Sequence, residues 1–275
     1  MRKKCSLIVK CLLILFIFGS CAFKDSDQNP AQTEYGVFLS VTENIDKLDA
    51  YKTVVIDAQY FSAQDIENFK KKGHIVYSYI NVGSLESFRD YYDTYKDLKL
   101  GDYEHWDEEI WIDVSDERWQ RFILDELACE LSDKGIDGFF VDNCDVYYQY
   151  PTEEIFDGVS RIMQGLIGTG KDVIINGGDA FLDAYCNNGG KYDDVITGIN
   201  QETVFSKIQW NEDRFSEASA EDHEYFCDYV EKYGDMGAKI FLLEYTKDEK
   251  LISNIDEYCK NHGYLYYVSD SLELD

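Results

Sequence analysis

The chain has 275 residues, with 54 Asp+Glu against 26 Lys+Arg and a formal net charge of −28. A balance that acidic excludes nucleic acid as a partner, because little is left to neutralise phosphates. It favours cationic ligands, which any acidic cleft would concentrate, although acidity also serves plain solubility.

Arg2, Lys3 and Lys4 precede an apolar run from Leu7 to Phe18, followed by Gly19-Ser20-Cys21. A charged start, an apolar middle and small residues before the cut read as a secretory signal. The run is shorter than the ~20 residues of a transmembrane helix. Phe18-Gly19-Ser20-Cys21 resembles the lipobox of bacterial lipoproteins, which implies cleavage before Cys21 and lipidation of its thiol. We therefore expect a signal over residues 1–20, a polar tether over 21–34 and a globular domain over 35–275, anchored through Cys21 at the cell surface or facing the periplasm. Removing residues 1–20 takes away four basic and no acidic residues. That leaves 22 Lys+Arg against 54 Asp+Glu, a net −32. Beyond the signal and Cys21, the remaining cysteines are Cys129, Cys144, Cys186, Cys227 and Cys259. They form no CxxC, and the four His lie at no metal-ligand spacing. Neither a metal site nor a disulfide framework is expected, beyond one incidental bridge.

From Tyr35 onward, apolar runs of strand length alternate with helical patterns. Strands are expected over Gly36–Leu39, Thr53–Asp57, Ile75–Ile80, Gly138–Asp142, Val173–Asn176, Val195–Ile199, Lys239–Glu244 and Tyr264–Val268. The clearest helix starts near Asp116, with Trp119, Phe122, Ile123, Leu127 and Leu131 on one face. The next starts at the N-cap residue Thr152, with Ile155, Val159, Ile162 and Leu166 in phase. Further helices fit Ala63–Lys71, Asp179–Cys186, Asp222–Tyr233 and Asp248–Asn261. Roughly eight βα units in about 240 residues predict a single-domain (β/α)8 TIM barrel. No Gly-rich dinucleotide or phosphate loop follows the first strand, so no cofactor is expected, and we expect a monomer. After the third strand, Ser84 to Glu109 is long, aromatic and charged. Such a stretch is usually functional or a lid. Its Tyr91, Tyr92, Tyr95, Tyr103 and Trp106 either form a sugar-stacking rim or simply cover the barrel mouth.

Acids and amides recur at the ends of the expected strands: Asp57; Asn81; Asp142, Asn143 and Asp145; Asn176; Asn200-Gln201-Glu202; Glu244-Tyr245. Each taken alone could turn the chain or cap a helix. Six successive strand ends converge on the face where catalytic residues of this fold sit. With no Ser-His pair in evidence, the chemistry on offer is that of paired carboxylates, which suits glycoside hydrolysis.

Several motifs resemble glycoside hydrolase family 114: YINVGSLESFRDYY (Tyr79 to Tyr92), FFVDNCDVY (Phe139 to Tyr147), the later INGG, INQETVF (Ile199 to Phe205) and LLEYT (Leu243 to Thr246). The resemblance spans roughly Tyr35 to Ser269. Its more specific parts are Gly83, Ser84, Glu86 and Arg89, together with the D-N-x-D of Asp142 to Asp145. It implies an endo-α-1,4-polygalactosaminidase-like barrel acting on a cationic, amino-sugar polysaccharide. It further implies Asp142 and Glu202 as the catalytic pair, and Asp57, Tyr79, Asn81, Arg89, Asn143, Asp145, Asn176, Glu244 and Tyr245 at the sugar subsites. The chain departs from the family where many relatives place Glu directly after the Asn of the sixth strand. Either Glu202 takes that role from a loop just past the strand, or Glu244 replaces it. A catalytically inactive glycan-binding barrel, or a hydrolase of another α-glycan, remains as a rival.

Overall fold

Runs such as Val54-Val55-Ile56 and Phe139-Phe140-Val141 are apolar at every position, so both of their faces need cover. A ring of parallel strands inside a ring of helices supplies it. The computed structural model describes residues 33–210 and 214–275. The expected signal, Cys21 and most of the tether lie outside the described residues.

Eight parallel strands form the barrel: β1 (Thr33–Phe38), β2 (Tyr51–Ile56), β3 (Ile75–Asn81), β4 (Gly138–Asp142), β5 (Asp172–Asn176), β6 (Gly198–Glu202), β7 (Lys239–Tyr245) and β8 (Leu265–Ser269). Each pairs with the next in that order. The first and last strands meet through side chains, with the Phe38 ring 5.2 Å from that of Tyr267. Thr33 and Glu34, expected in the tether, open β1.

Alternation along the strands divides the core in two. Tyr35, Val37, Val55, Tyr77, Phe140, Ile174, Phe241 and Leu243 fill the bore. Their neighbours, among them Ile56, Ile80, Phe139, Val141 and Ile175, pack outward. The helices start where capping chemistry allows. Ser62 and Asp65 form a capping box for Ala63–Lys71, the Thr152 side chain accepts from Ile155 N, and Asp248 accepts from Lys250 N and Leu251 N. Trp119, on the helical stretch that begins at Glu117, donates its indole N–H to Val82 O at 2.8 Å and ties that helix to the end of β3.

Two expectations need correction. The sixth strand runs Gly198–Glu202, three residues later than expected, after a short 3-10 turn over Tyr192–Asp194. Val195 and Ile196 are buried in the outer core without being strand residues, so their apolarity marks the approach to β6. Ser84–Glu109 is not an irregular loop. Ser84–Glu86, Lys99–Asp102 and Glu109–Ile112 form a three-stranded antiparallel sheet, with Glu109–Ile112 in the middle. Tyr91 and Tyr95 pack against Phe122 beneath it, at 4.5 and 4.8 Å, so they belong to the core and not to a rim. Gly83 lets this insert leave β3, since a Cβ there would lie 1.8 Å from Asn143 O.

Candidate active site

The C-terminal ends of the strands open into a cleft of about 870 Å³. Among the described residues that line it, eleven are Asp or Glu and one, Arg89, is a Lys or Arg. The three central strands each deliver one polar side chain to its floor and then break off in a left-handed residue. Asp142 is followed by Asn143 (φ 64°), Asn176 by Gly177 (φ 64°) and Glu202 by Thr203 (φ 57°). Glycine takes that conformation freely and asparagine tolerates it. A β-branched threonine there costs roughly 1–3 kcal/mol. The break leaves the last inward side chain of each strand at the rim.

One amide holds the centre together. Asn176 Nδ2 donates to Asp142 Oδ1 at 3.0 Å and to Glu202 Oε1 at 2.8 Å. The two hydrogens of an amide nitrogen spread by ~120°, so these carboxylate oxygens stand on the order of 5 Å apart. The second oxygens have their own donors: Tyr245 Oη–H to Glu202 Oε2 at 2.9 Å, and Asn143 Nδ2 to Asp142 Oδ2 at 3.4 Å. Glu202 lies within β6, so strand alternation, and not a relaxed loop, aims it. Asn200 and Glu202 share the bore side, which removes the need for a slipped register. Burial raises the affinity of both Asp142 and Glu202 for protons, and the Asn176 bonds oppose it. The Asp142 charge adds to the rise at Glu202.

Two further groups flank this centre. On one wall Arg89 donates to Asp57 Oδ2 at 2.6 Å and to Glu86 Oε1 at 2.9 Å, all three side chains being buried. Glu86 Oε2 and Arg89 Nε are buried with no partner among the described residues. Tyr79 Oη–H reaches Glu86 Oε1 at 3.3 Å. Glu109, opposite Glu86 in the insert, accepts from Ser84 Oγ at 2.6 Å. Burial, with the Glu86 and Asp142 charges, pushes its carboxyl up to about 7. On the other wall Asp145 is likewise raised to about 7 by burial and by the charges of Asp179 and Asp142. Over the mouth, the loop before Glu109–Ile112 meets the hairpin that begins at Ser206. His105 stacks on Trp210 with ring centroids 4.5 Å apart, and Trp106 meets the same indole edge-on at 6.1 Å.

Asp57, Tyr79, Arg89, Asp142, Asn143, Asp145, Asn176, Glu202 and Tyr245 all line the cleft. Asn81 does not: it is buried behind the floor, where it binds Ser84 N, Ser84 Oγ and Tyr79 Oη and receives Asn143 Nδ2. Glu244 does not either. It faces outward from β7 and accepts from Phe205 N (3.0 Å), Ser206 N (2.9 Å) and Ser206 Oγ (2.5 Å), pinning the chain beyond β6. Sequence reasoning missed Glu109, Asp179 and Trp210. The first two open regular elements, and only Glu109 carried a signal, as the acid directly before the apolar run Ile110-Trp111-Ile112. Among the described residues, no cluster of His, Cys, Asp or Glu is arranged to hold a metal ion.

The sequence matches the model of glycoside hydrolase family GH114 over residues 21–272. The chain belongs to that family. Structural comparison places this GH114 hydrolase beside two glycoside hydrolases at 18% identity. One is the glycoside hydrolase domain of PelA from Pseudomonas aeruginosa, with TM-score 0.71 over 90% of this chain and 96% of that one. The other is Ega3 from Aspergillus fumigatus in complex with galactosamine, with TM-score 0.67 over 92% and 97%. An α-galactosidase from Thermus thermophilus shares the fold more distantly, at 9% identity and TM-score 0.52 over 86% of this chain and 58% of that one. No curated protein sequence matches the chain. The GH114 barrel is thus a glycoside hydrolase fold with its carboxylates gathered at the strand ends.

Proposed function

We propose that this GH114 hydrolase cleaves internal α-1,4-galactosaminidic bonds in a partly deacetylated galactosamine polysaccharide, with retention of configuration. The observation that carries the reading is the Asn176 amide shared between Asp142 and Glu202 at the floor of a carboxylate-rich cleft. Separation on the order of 5 Å suits the ~5–5.5 Å of retaining pairs and is too short to seat a water as inverting pairs do. Asp142 attacks the anomeric carbon while Glu202, whose hold on a proton is strengthened by burial and by the Asp142 charge, gives a proton to the departing glycosidic oxygen. Glu202 then draws a proton from water, which displaces Asp142 from the glycosyl-enzyme intermediate.

The substrate class rests on charge and on the relative bound to galactosamine. Unacetylated galactosamine units are ammonium ions near neutral pH, and eleven acidic side chains around one Arg89 attract them. The lipobox-like Phe18 to Cys21 supports a lipid-anchored, cell-surface or periplasm-facing enzyme, and we take it to act as a monomer.

The test is incubation of the protein from Ala22 onward with partially deacetylated α-1,4-galactosaminogalactan, with products read by mass spectrometry and Asp142→Asn as control. Ladders of short oligomers with the wild type alone are the expected result. Retention of the polymer without products would make the barrel a glycan-binding protein instead.

A further inference from the structure

The Asn176 amide can serve the two carboxylates only if its NH2 end faces them, because its carbonyl oxygen in that place would face two acceptors. Its other end is held. Asn176 Oδ1 accepts from Asn200 Nδ2 at 2.7 Å, and Asn200 Oδ1 in turn accepts from Tyr35 Oη–H at 3.1 Å. Tyr35 and Asn200 are both 0% exposed. Tyr35 lies on β1, on the far side of the bore from β5 and β6, and its ring rests on Phe241 at 4.7 Å. The bonds form one directed line across the barrel: hydroxyl to amide, amide to amide, amide to both carboxylates.

We propose that Tyr35 and Asn200 are positioning residues for hydrolysis, which fix the orientation of the Asn176 amide and so hold Asp142 and Glu202 at their working separation and proton affinity. Neither residue lines the cleft, and the hydrogen bonds of both go to amides and not to Asp142 or Glu202. Their effect travels through the sense of one amide. Tyr35 sits in the apolar bore with Val37, Tyr77, Ile174 and Phe241. Loss of the Tyr35 hydroxyl leaves Asn200 Oδ1 buried without a donor. Asn200, and with it Asn176, then gains the freedom to turn over. Each turn withdraws an N–H from both carboxylates, and both should hold their protons more tightly.

The inference rests on Asp142 and Glu202 being the reacting pair, so its test reads the carboxylates themselves as well as turnover. The 13C carboxyl resonances of labelled protein are followed against pH in wild type, Tyr35→Phe, Asn200→Ala and Asn176→Ala. Asp142→Asn and Glu202→Gln spectra assign the two signals. Both titrations should move upward by roughly half a pH unit or more in Tyr35→Phe and Asn200→Ala, and further in Asn176→Ala. Tyr35→Phe added to Asn176→Ala should produce no additional movement, because residues acting along one line are not additive. With the polymer, kcat should fall on the order of tenfold in Tyr35→Phe while KM stays nearly constant, and the pH–rate bell should shift upward. A variant that merely loosens the bore lowers the melting temperature and leaves these titrations in place. Unmoved titrations in Tyr35→Phe and Asn200→Ala, or full additivity with Asn176→Ala, would overturn the relay. If the titrations move while wild type releases no product from the polymer, the relay stands and the substrate reading alone falls.

Discussion

Inside the rim of the barrel, Glu202 faces the bore from β6, and just outside it Glu244 faces away from β7 at nearly the same height, Leu243 being the cross-strand partner of Glu202. Glu244 is a fully buried carboxylate and Glu202 a half-buried one. Glu244 has three donors from Phe205 and Ser206 and no opening to the cleft. Glu202 has one donor on each oxygen, from Asn176 and Tyr245, and lines the cleft. A carboxylate saturated by backbone donors behaves as a fixed anchor. One held by a side-chain amide and a hydroxyl, with a face left open, can exchange a proton with a ligand. Parity along a strand decides which of the two a glutamate becomes.

The largest effect should come from the rim. Asp142→Asn should cut kcat at least ~10³-fold with little change in melting temperature, as removal of a nucleophile does. Glu202→Gln should follow with a loss of roughly 10²–10⁴-fold, the range for a general acid–base, measured on the same oligomer ladders. Glu244→Gln should invert the pattern. Activity of the folded protein should stay within about threefold of wild type, while stability to urea drops by about 1–3 kcal/mol, because an amide NH2 would face backbone donors. Equal losses of activity in Glu202→Gln and Glu244→Gln would erase the distinction.

A smaller, pH-dependent effect sharpens it. Glu109, Asp145 and Glu244 are each raised to about 7, chiefly by burial. Their folded-state values lie above the unfolded ~4, so the folded chain binds the extra protons. The stability these groups contribute is fully present below pH ~4 and is lost as pH rises toward ~7. Thermal melts should therefore show falling stability from pH 5 to pH 7.5, with a shallower slope in Glu109→Gln. A rise over that window would contradict the assignment. At the small end, Trp210→Ala removes the stacking partner of His105 over the mouth. It should raise KM about fivefold with kcat nearly unchanged, the mark of uniform binding.

The strands were legible wherever their cores were apolar. Phe139 to Val141 and Val173 to Ile175 lie in strands as expected, and Thr152 caps its helix. β6 slipped because its last three residues, Asn200, Gln201 and Glu202, are polar, and only their bonds inside the bore make them strand residues. Glu244 ends a strand but takes its outer face, whereas Asn81 shares the bore side with Tyr77 and Tyr79 and is covered by its bonds to Ser84 and Asn143, so neither parity nor nearness to a strand end alone brings a side chain into the cleft. The pairing of Ser84 with Trp111 and of Glu86 with Glu109 joins segments some 25 residues apart in a way no local pattern reveals. That pairing brings Glu109 to the cleft, while Tyr91 and Tyr95 between the paired segments pack on Phe122. The line from Tyr35 to Asn176 spans the barrel and became visible only with the bore assembled.

The most direct test of the Asp142–Glu202 pair is the configuration of the first product. Proton NMR during the early digestion of α-1,4-galactosaminogalactan resolves the anomeric signals of new reducing ends before they equilibrate. The α-anomer appearing first, and only when Asp142 is intact, is the result expected of a pair on the order of 5 Å apart with Asp142 as nucleophile. The β-anomer appearing first would mean direct attack by water and would remove Asp142 from that role.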